Sequence, residues 1–350
     1  MIGRTLRIEG KILGTGQPCL MVAEAGVNHN GRLKIAKRLV DAAKEAGADA
    51  IKFQKFRARD LVTRGVPLAE YQRKNVGESG SQLRMLERLE LSSSDFYELK
   101  RYCDHKEIVF LATPHSGKDD VDLVARLAPA IKVGSGDLTN LPLLEYVAKK
   151  KLPVILSTGM SSIDEVEAAV NTITRHNKRL VVMHCTTSYP ASYENVNLRA
   201  MLTLKERFRT LVGYSDHTLG VIVPMVAVAL GASIIEKHLT LDNRMKGPDH
   251  RASLEPDEFR EMVDKVRLVE KILGSEEKKP TRSEIDIARI VRKSIVANVD
   301  IPAGTTIASD MLAVKRPGTG IEPKYLRLIV GKRAKLAINR DREITWEMIA

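Results

Sequence analysis

Short apolar runs occur eight times along the chain, and each run ends on polar, charged or glycine residues. Their length and composition are typical of buried β-strands. They cover residues 19–23, 50–53, 108–112, 130–133, 154–156, 180–183, 211–214 and 233–235. Most are separated by stretches with helical periodicity. Eight strand–helix units in succession predict a (β/α)8 barrel, or TIM barrel, whose chemistry lies where the strands end at its C-terminal face.

The intervals between the runs carry recognisable helix signals. Apolar residues three and four apart predict helices over 32–46 and 255–273, and a capping-box pattern at 162–165 predicts the start of another. The interval after the second run is the longest and contains a basic, polar insertion at 61–91. Such an insertion is either a lid or wall of a substrate site or a solvated surface excursion.

The character of the chain changes after residue 274. Residues 275–287 are charged, contain a proline and lack apolar periodicity, so they predict a linker after a barrel domain at 1–274. Residues 288–350 carry short apolar segments between closely spaced turn residues, which is typical of a small mixed-β module. A module of this size is marginal alone, so we expect it to dock onto the barrel or a partner subunit.

Composition narrows the class of protein. The 350 residues are 43% hydrophobic, but no apolar run approaches the ~20 residues needed to span a membrane. Three cysteines without paired spacing and the lack of an apolar N-terminal segment lead us to expect a cytoplasmic protein. The net charge is +12, but the Lys and Arg residues are interspersed with acidic residues, and only 4% of residues are aromatic. These features argue against a nucleic-acid partner and favour an anionic small substrate.

Histidines concentrate at the predicted strand ends. Six of the eight lie there, namely His29, His115, His184, His217, His238 and His250. His217 and His238 end successive strands, so their side chains can converge at the barrel mouth. Two imidazoles with open coordination positions suit a divalent metal such as Mn²⁺, which also accepts carboxylate, water and substrate oxygens. The alternative is a hydrogen-bonded pair of histidines without a metal.

Two lysines lie inside apolar strand runs. Lys52 and Lys132 must point either into the barrel or into the helix layer, where burial of a charge is costly. Near the mouth they could bind an anion or form a Schiff base. The hydroxyls of Ser135, Ser157 and Ser215 add donors for a phosphate or carboxylate. Four acidic residues lie near the same face, namely Glu24, Asp137, Glu236 and Asp249. They could orient substrate hydroxyls, transfer protons or bind the metal, or they could form salt bridges with neighbouring lysines.

Taken in chain order, the strand-end motifs resemble those of the sialic acid synthase family. The matching segments are Glu24-Ala-Gly-Val-Asn-His-Asn-Gly31, Lys52-Phe-Gln54, Lys132-Val-Gly-Ser-Gly-Asp137, Leu156-Ser-Thr-Gly-Met160, His184-Cys-Thr-Thr-Ser-Tyr-Pro190, Gly213-Tyr-Ser-Asp-His217, Glu236-Lys-His-Leu-Thr240 and Lys246-Gly-Pro-Asp-His-Arg-Ala-Ser-Leu-Glu-Pro256. Near the C-terminus, Arg292-Lys-Ser-Ile-Val-Ala and Val314-Lys-Arg-Pro-Gly318 look like that family's antifreeze-like (SAF) domain. The resemblance covers nearly the whole chain.

The resemblance implies a transferase that condenses phosphoenolpyruvate with an N-acylated hexosamine, in the presence of Mn²⁺ or Mg²⁺. C3 of phosphoenolpyruvate attacks the open-chain sugar aldehyde, water adds at C2, and phosphate leaves by C–O cleavage. The products are a nine-carbon 2-keto-3-deoxy acid of the sialic acid type and phosphate. The sugar stays open between N-acetylmannosamine, its 6-phosphate and a diacetamido analogue.

The resemblance also implies roles for individual residues. The catalytic group comprises Glu24, Asp137, His217 and His238, and the two histidines hold the metal. The substrate-binding residues are Lys52, Gln54, Thr113, Lys132, Ser135, Ser157, Tyr189, Ser215, Asp249 and Arg316. Three positions depart from or align poorly with the family pattern, because Asp137 replaces a glutamate and Thr187 an asparagine of some members, and Asn75 lies in the insertion.

Family members form domain-swapped homodimers, in which the SAF domain of one subunit covers the barrel mouth of the other. In such a dimer Arg316 reaches the N-acyl group of the sugar. Two other enzyme classes stay open: a different phosphoenolpyruvate-dependent keto-deoxy sugar acid synthase, and an aldolase that forms a Schiff base on Lys52 or Lys132. An ice-binding or purely structural protein explains the polar strand ends poorly.

Overall fold

The structure is a computed structural model that describes residues 5–76 and 80–350. The chain divides into two compact units, Met1–Gly274 and Ser275–Ala350. Part of the predicted insertion, residues 77–79, lies outside the described residues. No helix in the described ranges is long and apolar enough to cross a bilayer.

The larger unit opens with a hairpin that the apolar pattern did not reveal. Strands β1 (Thr5–Ile8) and β2 (Lys11–Gly14) pair in antiparallel fashion. Leu6, Ile8 and Leu13 of this hairpin pack into the apolar cluster inside the barrel. The hairpin was missed because each strand is only four residues long, too short for a period to emerge.

Eight parallel strands then close into a barrel, with β10 pairing to β3. The strands are β3 (Leu20–Gly26), β4 (Ala50–Lys55), β5 (Val109–Pro114), β6 (Ile131–Val133), β7 (Val154–Ser157), β8 (Leu180–Cys185), β9 (Leu211–Asp216) and β10 (Ile234–His238). Each predicted apolar run coincides with one of these strands. The prediction of a TIM barrel is therefore confirmed.

Helices follow the strands around the outside of the barrel. They are α1 (Leu33–Glu45), α2 (Ala58–Leu61), α3 (Glu70–Val76), α4 (Gln82–Glu87), α5 (Ser93–His105), α6 (Lys118–Leu127), α7 (Leu141–Lys149), α8 (Ile163–Thr174), α9 (Tyr193–Val196), α10 (Ala200–Phe208), α11 (Ile222–Ala229) and α12 (Pro256–Leu273). The predicted capping box of α8 is complete, because Ser162 Oγ accepts from the N–H of Glu165 and the Glu165 carboxylate accepts from the N–H of Ser162.

The twofold repeat of side chains along a strand separates the inner and outer cores. In β4, Ile51 and Phe53 belong to the cluster between strands and helices, whereas Ala50 belongs to the cluster inside the barrel. Lys52, two residues after Ala50, therefore points inward. Ala130, directly before β6, also belongs to the cluster inside the barrel. Lys132, two residues later in β6, therefore points inward as well. Strand alternation thus brings both lysines to the interior, toward the C-terminal ends of the strands.

The smaller unit has its own apolar core of eleven buried residues, among them Ile295, Ile301 and Ile338. Its elements are α13 (Arg282–Val291), β11 (Ser294–Ala297), β12 (Leu312–Lys315) and α14 (Leu326–Ile329), with β11 and β12 antiparallel. A small β domain after the barrel agrees with the predicted fold class. The segment predicted as a linker differs in its second half, since α13 begins at Arg282. The overlooked signal is a capping box of Thr281 and Glu284 ahead of an amphipathic stretch.

Candidate active site

Four buried charged side chains face one another inside the barrel near its C-terminal mouth. The Nζ of Lys52 lies 2.8 Å from Oε2 of Glu24 and 3.5 Å from Oε1 of Glu236. The Nζ of Lys132 lies 3.5 Å from Oε2 of Glu236. Each of the four side chains is 8% exposed or less. Two ammonium groups and two carboxylates balance one another here, where an unpaired charge would be costly.

These ion pairs determine the protonation states. Burial by itself would raise the pKa of Glu236, but the ammonium groups of Lys132 and Lys52 lower it to about 2. Burial acts to lower the pKa of Lys52, yet Glu236 and Glu24 outweigh it and the pKa lies above its usual value. Burial lowers the pKa of Lys132, and Glu236 offsets this only in part. Lys52 is therefore the firmly charged cation, and Lys132 is the more readily deprotonated.

Each member of the charged cluster also bonds a neutral side chain. The bonds, donor first, are Lys52 Nζ to Thr113 Oγ1 at 3.1 Å, Lys132 Nζ to Ser157 Oγ at 2.7 Å, Gln54 Nε2 to Glu24 Oε1 at 3.0 Å and Ser215 Oγ to Glu236 Oε1 at 3.2 Å. These bonds involve residues of seven barrel strands. The cluster is consequently held in one arrangement by the barrel itself.

A cavity of about 170 Å³ opens beside the cluster, and three of its lining residues, Ser135, Cys185 and Thr187, surround Gly159. The N–H of Gly159 donates to Ser135 Oγ at 3.0 Å, and this oxygen lies 3.1 Å from Cys185 Sγ. A Cβ at position 159 would lie 2.1 Å from Thr187 Oγ1, so only glycine fits there. The Thr187 Oγ1 is buried without a hydrogen-bond partner in the described part of the chain. Convergent hydroxyls of this kind suit the oxygens of an anion. The group of Ser135, Gly159, Cys185 and Thr187 is called the anion cradle below.

His217 and His238 meet at the mouth, as predicted, with ring centroids 5.6 Å apart. The Tyr189 ring packs against both, at 4.3 Å from His217 and 5.8 Å from His238. The Nδ1 of His217 lies 2.8 Å from the carbonyl oxygen of Thr186 and donates to it, which leaves Nε2 as an acceptor. Burial lowers the pKa of both imidazoles, so both are neutral near pH 7.

This pair of histidines fits a divalent metal ion. Neutral imidazole is the form that binds metals, and a carbonyl that fixes the tautomer of a metal-binding histidine is a common support. The Nδ1 of His238 is buried without a hydrogen-bond partner within the described residues. Those residues contain no group of three or more histidine, cysteine or acidic side chains arranged to hold a metal. Water and substrate oxygens would therefore complete the coordination.

The insertion between β4 and β5 contributes to the rim of the site. Its Tyr71 ring stacks on Tyr189 with centroids 5.1 Å apart. The Nδ2 of Asn75 donates to the Pro248 carbonyl at 2.7 Å and so ties α3 to the loop before Asp249. Burial, with a further contribution from Glu24, raises the pKa of the Asp249 carboxyl to about 7. The insertion is therefore packed against residues of the site.

The structure brings most of the predicted site residues together. The cavity is lined by Glu24, Lys52, Gln54, Thr113, Lys132, Ser135, Ser157, Tyr189, Ser215, His217 and His238. Asp137 and Asp249 are absent from this lining in the described chain. Arg316 is an exposed residue of the smaller unit, directly after β12.

Sequence reasoning gave no site role to several residues that line the cavity. They include His115, Met160 and Cys185. Each lies within three residues of the end of a barrel strand. Position after a strand was therefore the usable signal, and residue type was a poorer guide. Glu236, weighed as a salt-bridge residue, lines the cavity and pairs with both lysines.

A closed parallel barrel that gathers two buried lysines, several hydroxyls and two neutral histidines at its C-terminal mouth has the architecture of a TIM-barrel enzyme. The NeuB family model matches residues 39–278, and the SAF domain model matches residues 292–350. The chain belongs to the NeuB family, the family of sialic acid synthases, and the resemblance read from its motifs is confirmed.

Named relatives match along nearly the full chain. The chain is 45% identical to the N,N'-diacetyllegionaminic acid synthase of Legionella pneumophila, over 99% of both chains. It is 39% identical to human N-acetylneuraminate-9-phosphate synthase, over 97% of this chain and 95% of the human protein. A crystal structure of N-acetylneuraminic acid synthetase from Leptospira borgpetersenii superposes with a TM-score of 0.71 at 33% identity, covering 81% of this chain and 96% of that one.

Proposed function

We propose that the protein catalyses the metal-dependent condensation of phosphoenolpyruvate with an N-acylated hexosamine. The products are a nine-carbon 2-keto-3-deoxy acid and phosphate. The observation that carries this proposal is the juxtaposition, in one cavity, of a lysine- and hydroxyl-lined side and two neutral histidines. The first side suits a phosphorylated carboxylic acid, and the second suits a metal that meets an aldehyde oxygen.

Phosphoenolpyruvate binds on the lysine side in this proposal. Its binding residues are Lys52, Thr113, Lys132, Ser135, Ser157 and Ser215. The two lysines have their charge balanced by Glu24 and Glu236 in the free protein. Because the free cluster carries no excess positive charge, hydroxyl and backbone donors must supply much of the attraction for the ligand.

The sugar binds on the histidine side. Glu24, Gln54, Tyr189 and Asp249 contact its hydroxyls, and Arg316 of a second subunit contacts its N-acyl group. The pKa of Asp249 near 7 makes its carboxyl able to donate as well as accept a hydrogen bond around neutral pH. A divalent metal, Mn²⁺ or Mg²⁺, held by His217 and His238 supplies Lewis-acid polarisation of the aldehyde when bound.

The remaining chemistry follows from what these residues can hold. The cradle orients phosphoenolpyruvate so that C3 faces the aldehyde, a new C–C bond forms, and water adds at C2. The bond between C2 and the oxygen that bridges to phosphorus then breaks, phosphate leaves with that oxygen, and the hydroxyl added from water loses its proton to become the keto oxygen. The firmly protonated Lys52 supports the negative charge of the ligand throughout, and it is unsuited to Schiff-base formation, which needs a neutral amine.

Three further features belong to the proposal. The diacetamido hexosamine is the first sugar to test, because the relative at 45% identity is named for a diacetyl product. The enzyme acts as a domain-swapped homodimer, a view supported by the exposed Ile285, Ile287 and Ile290 of α13. Three free, buried cysteines suit a reducing, cytoplasmic location.

The test is phosphate release from phosphoenolpyruvate mixed with Mn²⁺ and each of three sugars. These are N-acetylmannosamine, its 6-phosphate and the diacetamido analogue. We expect release with at least one sugar and loss of release with a chelator. If none of the three sugars gives phosphate release, the proposed function is wrong. Trapping of pyruvate on the protein by borohydride would support the aldolase that forms a Schiff base on a lysine.

A further inference from the structure

His115 and Asp137 form a pair at the edge of the cavity. The Nδ1 of His115 lies 3.6 Å from Oδ2 of Asp137. The other carboxylate oxygen, Oδ1, accepts a bond from Nδ2 of Asn140 at 3.3 Å. The side chains of His115 and Asp137 are 23% and 17% exposed. The carboxylate is thus directed at the imidazole, and Asn140 helps hold it there.

Only one member of the pair reaches the cavity. His115 lines it, together with Gly134 and Ser135, and Asp137 is outside the lining in the described residues. A Cβ at position 134 would lie 3.0 Å from Cε1 of His115, so the ring sits close against the glycine backbone. The imidazole is therefore confined between Gly134 on one side and the Asp137 carboxylate on another.

We infer that His115 binds the anionic substrate and that Asp137 is a positioning residue that orients the His115 ring. The inference rests on the proposed function and deepens it on the phosphoenolpyruvate side. When both nitrogens of the His115 ring carry hydrogen, Nδ1–H points toward the Asp137 carboxylate at 3.6 Å, and Nε2–H faces away from it and can donate to an anion. His115 is then one more hydrogen-bond donor beside Ser135, in the wall to which the proposed function assigns phosphoenolpyruvate.

The charge balance of the cluster explains why such a group is useful. Lys52 and Lys132 face Glu24 and Glu236 before any ligand arrives. Every additional hydrogen-bond donor at the edge of this space strengthens the binding of a multiply charged anion. The short side chain of Asp137 keeps its own negative charge at the imidazole and out of the cavity.

The variants that test this are His115→Phe, which keeps an aromatic ring and removes both nitrogens, Asp137→Asn and the double variant. His115→Gln retains a polar end and is the conservative comparison. Exposed matched controls are His105→Phe on α5 and Asp119→Asn on α6. The binding of phosphoenolpyruvate alone is measured by calorimetry, and KM for each substrate by phosphate release. Thermal melting checks that every variant is folded.

We expect His115→Phe to weaken phosphoenolpyruvate binding by about 10-fold or more and to leave the sugar KM within about twofold. Asp137→Asn is expected to weaken phosphoenolpyruvate binding by a smaller factor. The double variant is expected to bind phosphoenolpyruvate as weakly as His115→Phe does. His115→Gln should recover part of the loss. Additive losses in the double variant, or a change confined to the sugar KM, would overturn the positioning role of Asp137.

The inference about His115 and the proposed function can fail independently of each other. If the unaltered protein releases no phosphate with any sugar, the proposed function fails, and the calorimetric comparison still decides on His115. If the unaltered protein turns over and a folded His115→Phe variant binds phosphoenolpyruvate equally well, the inference about His115 is wrong while the function stands.

Discussion

The Nζ of Lys237 lies 2.5 Å from Oδ2 of Asp216, and each of these residues directly precedes one of the two histidines at the mouth. Both side chains are completely buried on the outer side of the barrel. Lys237 also donates to the carbonyl of Thr218, whose own N–H and hydroxyl donate to Asp216. Since successive residues of a strand face opposite ways, this outer ion pair fixes the strands whose inner ends carry His217 and His238.

Lys237→Met is predicted to destabilise the fold strongly. The substitution leaves the Asp216 carboxylate buried without its cation, which typically costs about 3–5 kcal/mol. Adding Asp216→Asn removes the orphaned charge and should recover a large part of the loss. The measurement is the free energy of unfolding in urea, with Lys265→Met on the exposed face of α12 as control. Equal destabilisation by the single and double variants would contradict the ion-pair explanation.

His217→Ala is predicted to abolish turnover while the barrel stays folded. Residues at the ends of barrel strands serve function more than stability, and loss of one of two imidazoles should weaken metal binding by at least about 100-fold. Calorimetric titration with Mn²⁺ and phosphate release give the two readouts. His176→Ala, a surface histidine at the end of α8, is the control. An unaltered rate would remove His217 from the proposed metal site.

Gly159→Ala is predicted to damage the anion cradle. The new methyl group would meet Thr187 Oγ1 at 2.1 Å and Cys185 Sγ at 2.8 Å, so the wall must shift at a cost of about 1–3 kcal/mol. Binding of phosphoenolpyruvate should weaken by about tenfold, with the sugar KM less affected. Gly80→Ala is the control, because Gly80 is not among the described residues that line this cavity and a Cβ there meets nothing within 4 Å. Comparable losses in both variants would argue against a tight cradle at Gly159.

The fold and the main features of the site could be predicted because they depend on periodicity. A period of two makes Lys52 and Lys132 inward-facing once the barrel is recognised, and strand ends bring His217 and His238 together. Pairings between side chains could not be predicted. Whether a lysine bonds a carboxylate, a hydroxyl or a ligand depends on distances of a few ångströms, which spacing along a chain does not encode.

Asp137 illustrates this limit. Its position after Gly134-Ser-Gly136 places it at the mouth, and the family resemblance implies a catalytic role, which stays a prediction. The three-residue turn Ser135–Asp137 directs its carboxylate toward His115, which follows a different strand, and spacing along the chain did not indicate this contact. The ion pair of Lys237 and Asp216 shows the same limit. The motifs place both residues beside the histidines of the mouth, but their side chains are completely buried on the outer side of the barrel.

The stability of the protein is predicted to depend on pH through the carboxyl of Asp249. Burial raises the pKa of its carboxyl from 3.8 to about 7, so the folded protein binds this proton more tightly than the unfolded chain does. Stability from this group is complete below the unfolded pKa and is lost as pH rises through 7, by up to ~4 kcal/mol. Asp249→Asn removes the titration, so the variant should gain stability relative to the unaltered protein between pH 5.5 and pH 8.5.

Urea unfolding of both proteins at these two pH values measures the Asp249 effect, because all other titrating groups are shared and cancel in the difference. The substrate-free protein is the form to use, since a bound sugar would change the surroundings of the carboxyl. Asp242→Asn is the matched control, because Arg244 lowers the pKa of the exposed Asp242 to about 2 and its titration is complete well below this range. Parallel stability curves for the unaltered protein and Asp249→Asn would mean that Asp249 is already ionised at pH 5.5, and its proposed dual hydrogen-bonding role at neutral pH would then be lost.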